Sequence, residues 1–157
     1  MGVLLVVRHA KAGKRGEWPG PDEERPLSSR GRRQAEALVP VLADHPVDRI
    51  LSSPYTRCVE TVEPLAEKIG VPVETVAVLS ETADRADQLA LARQVVASGT
   101  VVLCTHGDVV PPLLGALAAS DGLALPDPLP SSKASTWVLA AGADGRFASA
   151  DYVPPPA

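Results

Sequence analysis

Two uninterrupted apolar runs, each closed by a histidine, constrain this chain more than any other feature. Val3-Leu4-Leu5-Val6-Val7 leads into Arg8-His9-Ala10-Lys11, and Thr100-Val101-Val102-Leu103-Cys104 leads into Thr105-His106-Gly107. Runs without polar alternation suit strands buried on both faces, as in a parallel sheet covered by helices. Ligands of open α/β sheets sit just beyond the carboxyl ends of such strands. Two imidazoles and a guanidinium at two such ends converge on one small anionic group, for which phosphate is the natural candidate.

The remaining pattern alternates strands with helices. Ser28 is a natural N-cap for a helix over 29–43, with Ala35, Leu38, Val39 and Leu42 as its buried stripe and Pro40 as a bend or early stop. A strand follows over 47–52. Ser53-Pro54 then opens a second helix with Pro at its first position, where the missing N–H is no loss. Cys58, Val62, Leu65 and Ile69 form the core face of that helix, which Pro64 makes irregular. A third strand is expected over 71–78 and a third helix over 86–97, packed through Leu89, Ala92 and Val96. After the strand at 100–105 comes a helix over 108–119, with Pro111 and Pro112 near its start. The 120–134 loop leads to a hairpin of 136–140 and 147–153 around Gly142-Ala143-Asp144-Gly145, and the Pro154-Pro155-Pro156 tail is expected to fray. The fold class is therefore α/β: a three-layer α/β/α sandwich with a mainly parallel central sheet and an antiparallel edge, forming a single domain over 1–157.

Composition narrows the function. Aromatics are 3% of the 157 residues, too few for a base-stacking platform, and the net charge of −4 disfavours a general polyanion binder. No nucleic-acid partner is expected. The apolar run before Arg8 is too short for a signal peptide, and no stretch reaches membrane-spanning length, so a cytoplasmic location without membrane association is expected. Eight of the fifteen Lys and Arg fall between Arg8 and Arg33. Arg30, Arg32 and Arg33 read as a solvated helix face. Lys11, Lys14, Arg15 and Arg25 lie close in sequence to the Arg8-His9 turn and are candidates for steering or binding an anionic substrate. Cys58 and Cys104 have no metal or redox spacing and read as packing residues.

A third strand end adds to the constellation. Ser52-Ser53-Pro54-Tyr55-Thr56-Arg57 places Arg57 in the first turn of a helix, where free N–H groups already favour anions. Arg8 and Arg57 each offer paired donors to phosphate oxygens, which lysine cannot do. A neutral His9 can attack phosphorus while His106 donates to the equatorial oxygens, and such a site works by positioning and by stabilising charge. The Gly107 backbone N–H is a further candidate donor.

The blocks "RHAKA" from Arg8, "RPLSSRGRRQA" at 25–35, "SSPYTRCVET" at 52–61 and "THGD" at 105–108 resemble those of the histidine phosphatase superfamily, the phosphoglycerate-mutase-like fold. Within it the chain is similar to SixA-like phosphohistidine phosphatases. It is similar as well to the histidine-phosphatase half of MutT-type Nudix hydrolases, which share "RHAKAG" and "RPL…RG…QAEAL". The resemblance implies a phosphatase in which His9 is the phosphorylated nucleophile and Arg8, Arg57 and His106 form the phosphate pocket, with no metal or cofactor. Two positions depart from the family pattern. Ala10 stands where the best-known motif has Gly, and Arg15 stands where many larger members carry a phosphate-contacting Asn.

Glu81, after the third strand, resembles the acid that protonates leaving oxygens in larger relatives. It is either that acid or a solvated carboxylate, and an acid there favours phosphoesters over phosphohistidine. Arg57 and His106 are 49 positions apart, and that interval must hold a helix, a strand and another helix, leaving no room for a large lid domain. The expected site is thus open, suited to a phosphorylated protein or a small phosphorylated molecule. Phosphohistidine on a protein leads among substrates, with small phosphoesters or nucleotides behind it. A non-catalytic phosphate binder and a metallohydrolase using His9, His106, Glu81 or Asp108 are the competing classes; the latter fits known ligand spacings poorly. His45 reads as a loop residue, Asp108 as a helix cap and Lys133 as a surface residue. The sequence does not determine an oligomeric state.

Overall fold

The computed structural model describes residues 2–156. Its six strands form one sheet in the order β3-β2-β4-β1-β5-β6. They are β1 (Val3–Arg8), β2 (Arg49–Ser52), β3 (Val73–Thr75), β4 (Thr100–Thr105), β5 (Thr136–Ala141) and β6 (Phe147–Val153). β1, β2, β3 and β4 run parallel; β5 and β6 are antiparallel additions beside β1. The helices are α1 (Ser29–Ala43), α2 (Thr56–Ile69), α3 (Arg85–Val95) and α4 (Val110–Asp121). Among the described residues no helix is long and apolar enough to cross a membrane.

The two-residue period of the central strands builds two cores. Leu5, Val7, Ile50, Val102 and Cys104 face α1 and α2, joined by Leu38, Leu42, Val62 and Leu65. Leu4, Val6, Leu51, Val101 and Leu103 face the other way, joined by Ala92, Val95, Leu114 and Leu117 of α3 and α4. Each such Leu, removed from water, contributes about 1.5–3 kcal/mol before chain entropy is subtracted. This is the three-layer α/β/α sandwich expected from the apolar runs.

Several boundaries differ from expectation, each for a local reason. The strand expected at 71–78 pairs only as far as Thr75, because its partner β2 ends at Ser52. The chain then makes a 3-10 turn at Ala77–Leu79 that buries Leu79. Likewise, the strand expected from residue 47 begins at Arg49, and α3 runs over 85–95 before a 3-10 turn at Val96–Ser98. Pro54 is not the first helical residue. The Ser53 N–H still bonds the Cys104 carbonyl (3.0 Å), prolonging the strand, so α2 starts at Thr56. Pro40 and Pro64 lie within α1 and α2 without ending them, Pro40 on the exposed side. Asp108 does not cap α4: Val109 occupies that position, and no side chain caps it. The tail is not free of the body either, since Pro156 borders a cleft with Arg30, Arg33 and Gln34 of α1.

Candidate active site

Strand register brings the two histidines together. In the β1–β4 pair Arg8 lies opposite Thr105, and the His9 N–H donates to the Thr105 carbonyl at 3.0 Å. Residues 9 and 106 therefore leave adjacent parallel strands side by side. Their rings sit edge to face, with centroids 5.5 Å apart and planes at 69°. On the other side of β4, the Ser53 pairing places its hydroxyl 2.9 Å from His106 Nε2.

Hydrogen bonding sets the His9 tautomer. Nδ1 lies 2.8 Å from the Ala10 carbonyl, which only accepts, so Nδ1 carries the hydrogen and Nε2 keeps its lone pair. His9 is 7% exposed. Burial, and then the charges of His106, Arg57 and Arg8, depress its pKa to about 3, against a helping bond from Ala10. The imidazole is unprotonated across the physiological range, as a nucleophile requires.

Both arginines are held so that donors remain free. Arg57 is 1% exposed and lies over the Tyr55 ring at 4.9 Å. Its two terminal nitrogens donate to the Asp22 carbonyl (2.9 Å) and the Asp22 carboxylate (3.2 Å). A terminal nitrogen of Arg8 donates to the Ser131 carbonyl at 2.8 Å. The Nε–H of each guanidinium is buried and has no hydrogen-bond partner among the described residues. Burial lowers the Arg8 pKa, partly offset by Asp108 and Tyr152. Gly107 has a reason to be glycine that its sequence context did not show. A Cβ there would lie 2.6 Å from Cζ of Arg8, so the guanidinium lies where a side chain would be.

Arg8, His9, Arg57, His106, Gly107 and Glu81 all border one cavity of about 470 Å³, as do Arg15, Arg25 and Lys133. Glu81 lies 3.7 Å from His106 Nδ1 and 3.6 Å from an Arg57 terminal nitrogen. It is thus placed between Arg57 and His106 and not in open solvent. Lys11 is one exception among the candidates: it is exposed and outside the cavity lining. Its backbone explains why. The Lys11 N–H donates to Gln34, its carbonyl accepts from Ser28, and Gly31 presses against that carbonyl, which turns the side chain outward. Lys14 is likewise exposed and outside the lining. Ala10 is fully buried, and its N–H donates to Thr61 (2.9 Å), so a methyl is accommodated at that turn.

Four further residues stand at or behind the site. Ser53 and Cys58 touch His106, the Cys58 sulfur at 3.6 Å from Nε2. The Ser-Pro ahead of Arg57 was the available signal for Ser53, and the position of Cys58 next to Arg57 was the one for the thiol. Lys133, read as a surface residue, borders the cavity; its pKa is lowered by burial and by Arg8, Lys11 and Arg25. Asp22, behind the arginines, had only its three-residue spacing from Arg25 to mark it. Asp108, read as a cap, is exposed at the cavity mouth. Among the described residues no three His, Cys, Asp or Glu side chains group to hold a metal ion.

Comparison with known proteins matches residues 4–87 to the family model "Histidine phosphatase superfamily (branch 1)". A relative from Mycolicibacterium smegmatis named 8-oxo-(d)GTP phosphatase is 37% identical over 98% of this chain. The chain spans only 48% of that relative's length, and 19% of a yeast transcription factor tau subunit that it also matches. Among solved structures, the protein histidine phosphatase SixA complexed with tungstate superposes with a TM-score of 0.76 at 18% identity, covering 98% of this chain and 96% of the other. A mycobacterial glucosyl-3-phosphoglycerate phosphatase gives 0.75 at 22% identity, covering 100% of both chains. At these identities the superpositions establish the fold.

Proposed function

The chain belongs to the histidine phosphatase superfamily, branch 1, and from that premise we propose that it is a phosphohydrolase passing a phosphoryl group through His9. One observation carries the reading. Arg8 and Arg57, whose buried Nε–H groups have no hydrogen-bond partner among the described residues, line the same cavity as His9, whose Nε2 keeps its lone pair. Buried donors without partners are unfavourable unless a ligand satisfies them, and a phosphoryl group supplies the acceptors.

In the first step Nε2 of His9 attacks phosphorus while the bond to the leaving oxygen or nitrogen breaks. Arg8, Arg57 and His106 hold the equatorial oxygens, where charge accumulates. Glu81 is placed to pass a proton to the leaving group. In the second step water attacks the phosphohistidine, its proton goes to Glu81, and inorganic phosphate and neutral His9 are released. No step requires a metal.

Two observations bear on the substrate. The short interval between Arg57 and His106, which leaves no room for a large lid domain, supports the class expected from the sequence, phosphohistidine on a protein. A nucleotide is supported by the name and 37% identity of the M. smegmatis relative, and by Arg15, Arg25 and Lys133, cations beyond those needed for one phosphoryl group. A panel of phosphohistidine protein, nucleoside polyphosphates and sugar phosphates separates these readings by kcat/KM. The mechanism itself is tested with an aryl phosphate and chelator present. His9→Ala abolishes turnover and the acid-labile, base-stable phosphoenzyme, whereas full activity in that variant overturns the assignment.

A further inference from the structure

Asp22 lies in a short 3-10 turn at Asp22–Glu24, within the 10–27 strap that leads from β1 to α1. Its carboxylate does not border the cavity but stands behind the guanidiniums that do. One oxygen accepts from Arg25 Nε (3.0 Å) and lies 3.4 Å from Arg15 Nε; the other takes a terminal nitrogen of Arg57 at 3.2 Å. Its backbone carbonyl holds the remaining Arg57 terminal nitrogen. The strap is pinned by Arg25, which donates to the Gly13 carbonyl, and by the Ala12–Leu27 bridge. One carboxylate thereby offsets three cations of the same cavity. Burial is the largest single influence on the Asp22 carboxyl and acts to raise its pKa, but the Arg25 bond and the charges of Arg57, Arg25 and Arg15 together outweigh it and hold the group below its usual range.

We propose that Asp22 is a positioning residue that orients Arg57 and competes with bound phosphate for its donors, keeping the pocket from retaining product. The inference rests on the phosphohydrolase reading. The geometry argues for competition as well as support. Arg57 has five N–H donors; Asp22 takes one from each terminal nitrogen, leaving the unpaired Nε–H and one hydrogen on each terminal nitrogen for the phosphoryl group. Arg8, Arg15, Arg25, Arg57 and Lys133 together would hold a phosphate dianion strongly in a site partly shielded from water. A fixed neighbouring carboxylate weakens that hold on product, while the oriented guanidinium still stabilises the transition state.

The test uses Asp22→Asn, which keeps the shape and the backbone carbonyl contact but removes the charge, together with Asp22→Glu, which restores it. Inorganic phosphate binding is measured by calorimetry, independently of turnover, and kcat is measured on an aryl phosphate. Asp22→Asn is expected to bind phosphate about two- to fivefold more tightly, the range for a partly exposed ion pair, while kcat falls. Asp22→Glu is expected to return phosphate affinity toward wild type. A merely structural residue would weaken both properties. Unchanged or weaker phosphate binding in Asp22→Asn overturns the proposal, as does equally tight binding in Asp22→Glu. If the asparagine variant is not recovered folded, Asp22→Ser carries the same measurement. Wild-type protein that binds phosphate but turns over no substrate refutes the phosphohydrolase reading, and the calorimetric arm still decides the role of Asp22.

Discussion

Replacing His9 with asparagine is expected to make the protein less sensitive to acid. In the folded state the His9 pKa is depressed to about 3 from an ordinary value of 6.5, with burial as the main cause. An unfolded chain therefore binds a proton on this ring more readily than the native one does. The stabilisation from keeping the ring neutral is complete above the unfolded pKa. It drains away as pH falls from about 6.5 toward 3. At about 1.4 kcal/mol per pKa unit, the loss between pH 7 and pH 4 is roughly 3 kcal/mol, a large part of a typical domain's stability. Asparagine can still donate to the Ala10 carbonyl and does not titrate in this range. Urea unfolding of both proteins near pH 7 and near pH 4 isolates the contribution, because every other titrating group is shared. Phosphate-free buffers are needed, since a ligand that binds only the native state would mask the difference. Equal losses in the two proteins, or an NMR titration placing the His9 midpoint above about 5, would refute the reasoning.

Two further outcomes are expected. Gly107→Ala places a methyl against the Arg8 guanidinium and forces it away from the Ser131 carbonyl; kcat/KM on an aryl phosphate should fall by about 10²-fold, the cost of losing one well-placed oxyanion donor, with little change in unfolding midpoint. Glu81→Gln should slow phosphoester hydrolysis while sparing phosphohistidine, whose leaving imidazole can already carry its proton on the other nitrogen; equal rates of wild type and variant in both assays would remove the acid assignment.

The parts of the site that were legible beforehand are those whose signal is local. Arg8, His9 and His106 close apolar runs long enough to be identified as buried strands, and Arg57 follows a strand end with a Ser-Pro. Ser28 in front of the Ala35, Leu38 and Leu42 stripe marked α1 at both ends, and the structure has it over the same residues. Glu81 was ambiguous because its role depends on distances to His106 and Arg57, groups 25 and 24 positions away in the chain. Asp22 had only its spacing from Arg25 to mark it, because an acidic loop of Asp22-Glu23-Glu24 has no periodicity from which to read its distant partner Arg57. Lys133 reaches the cavity beside Arg8 across most of the length of the chain. Lys11 lies outside the cavity lining for the opposite reason: proximity in sequence to His9 says nothing of which way a side chain points once its backbone is bonded to α1.

The order of apolar, polar and breaker residues by itself determined which segments are buried, and hence a helix-covered, mainly parallel sheet with chemistry at its strand ends. That information is local because burial periodicity is written within five to fifteen residues. Tertiary structure alone decided the sheet order, the register that sets His9 beside His106, and the single carboxylate shared by three arginines. Those features are pairings between segments far apart in the chain, so packing geometry and charge compensation chose them.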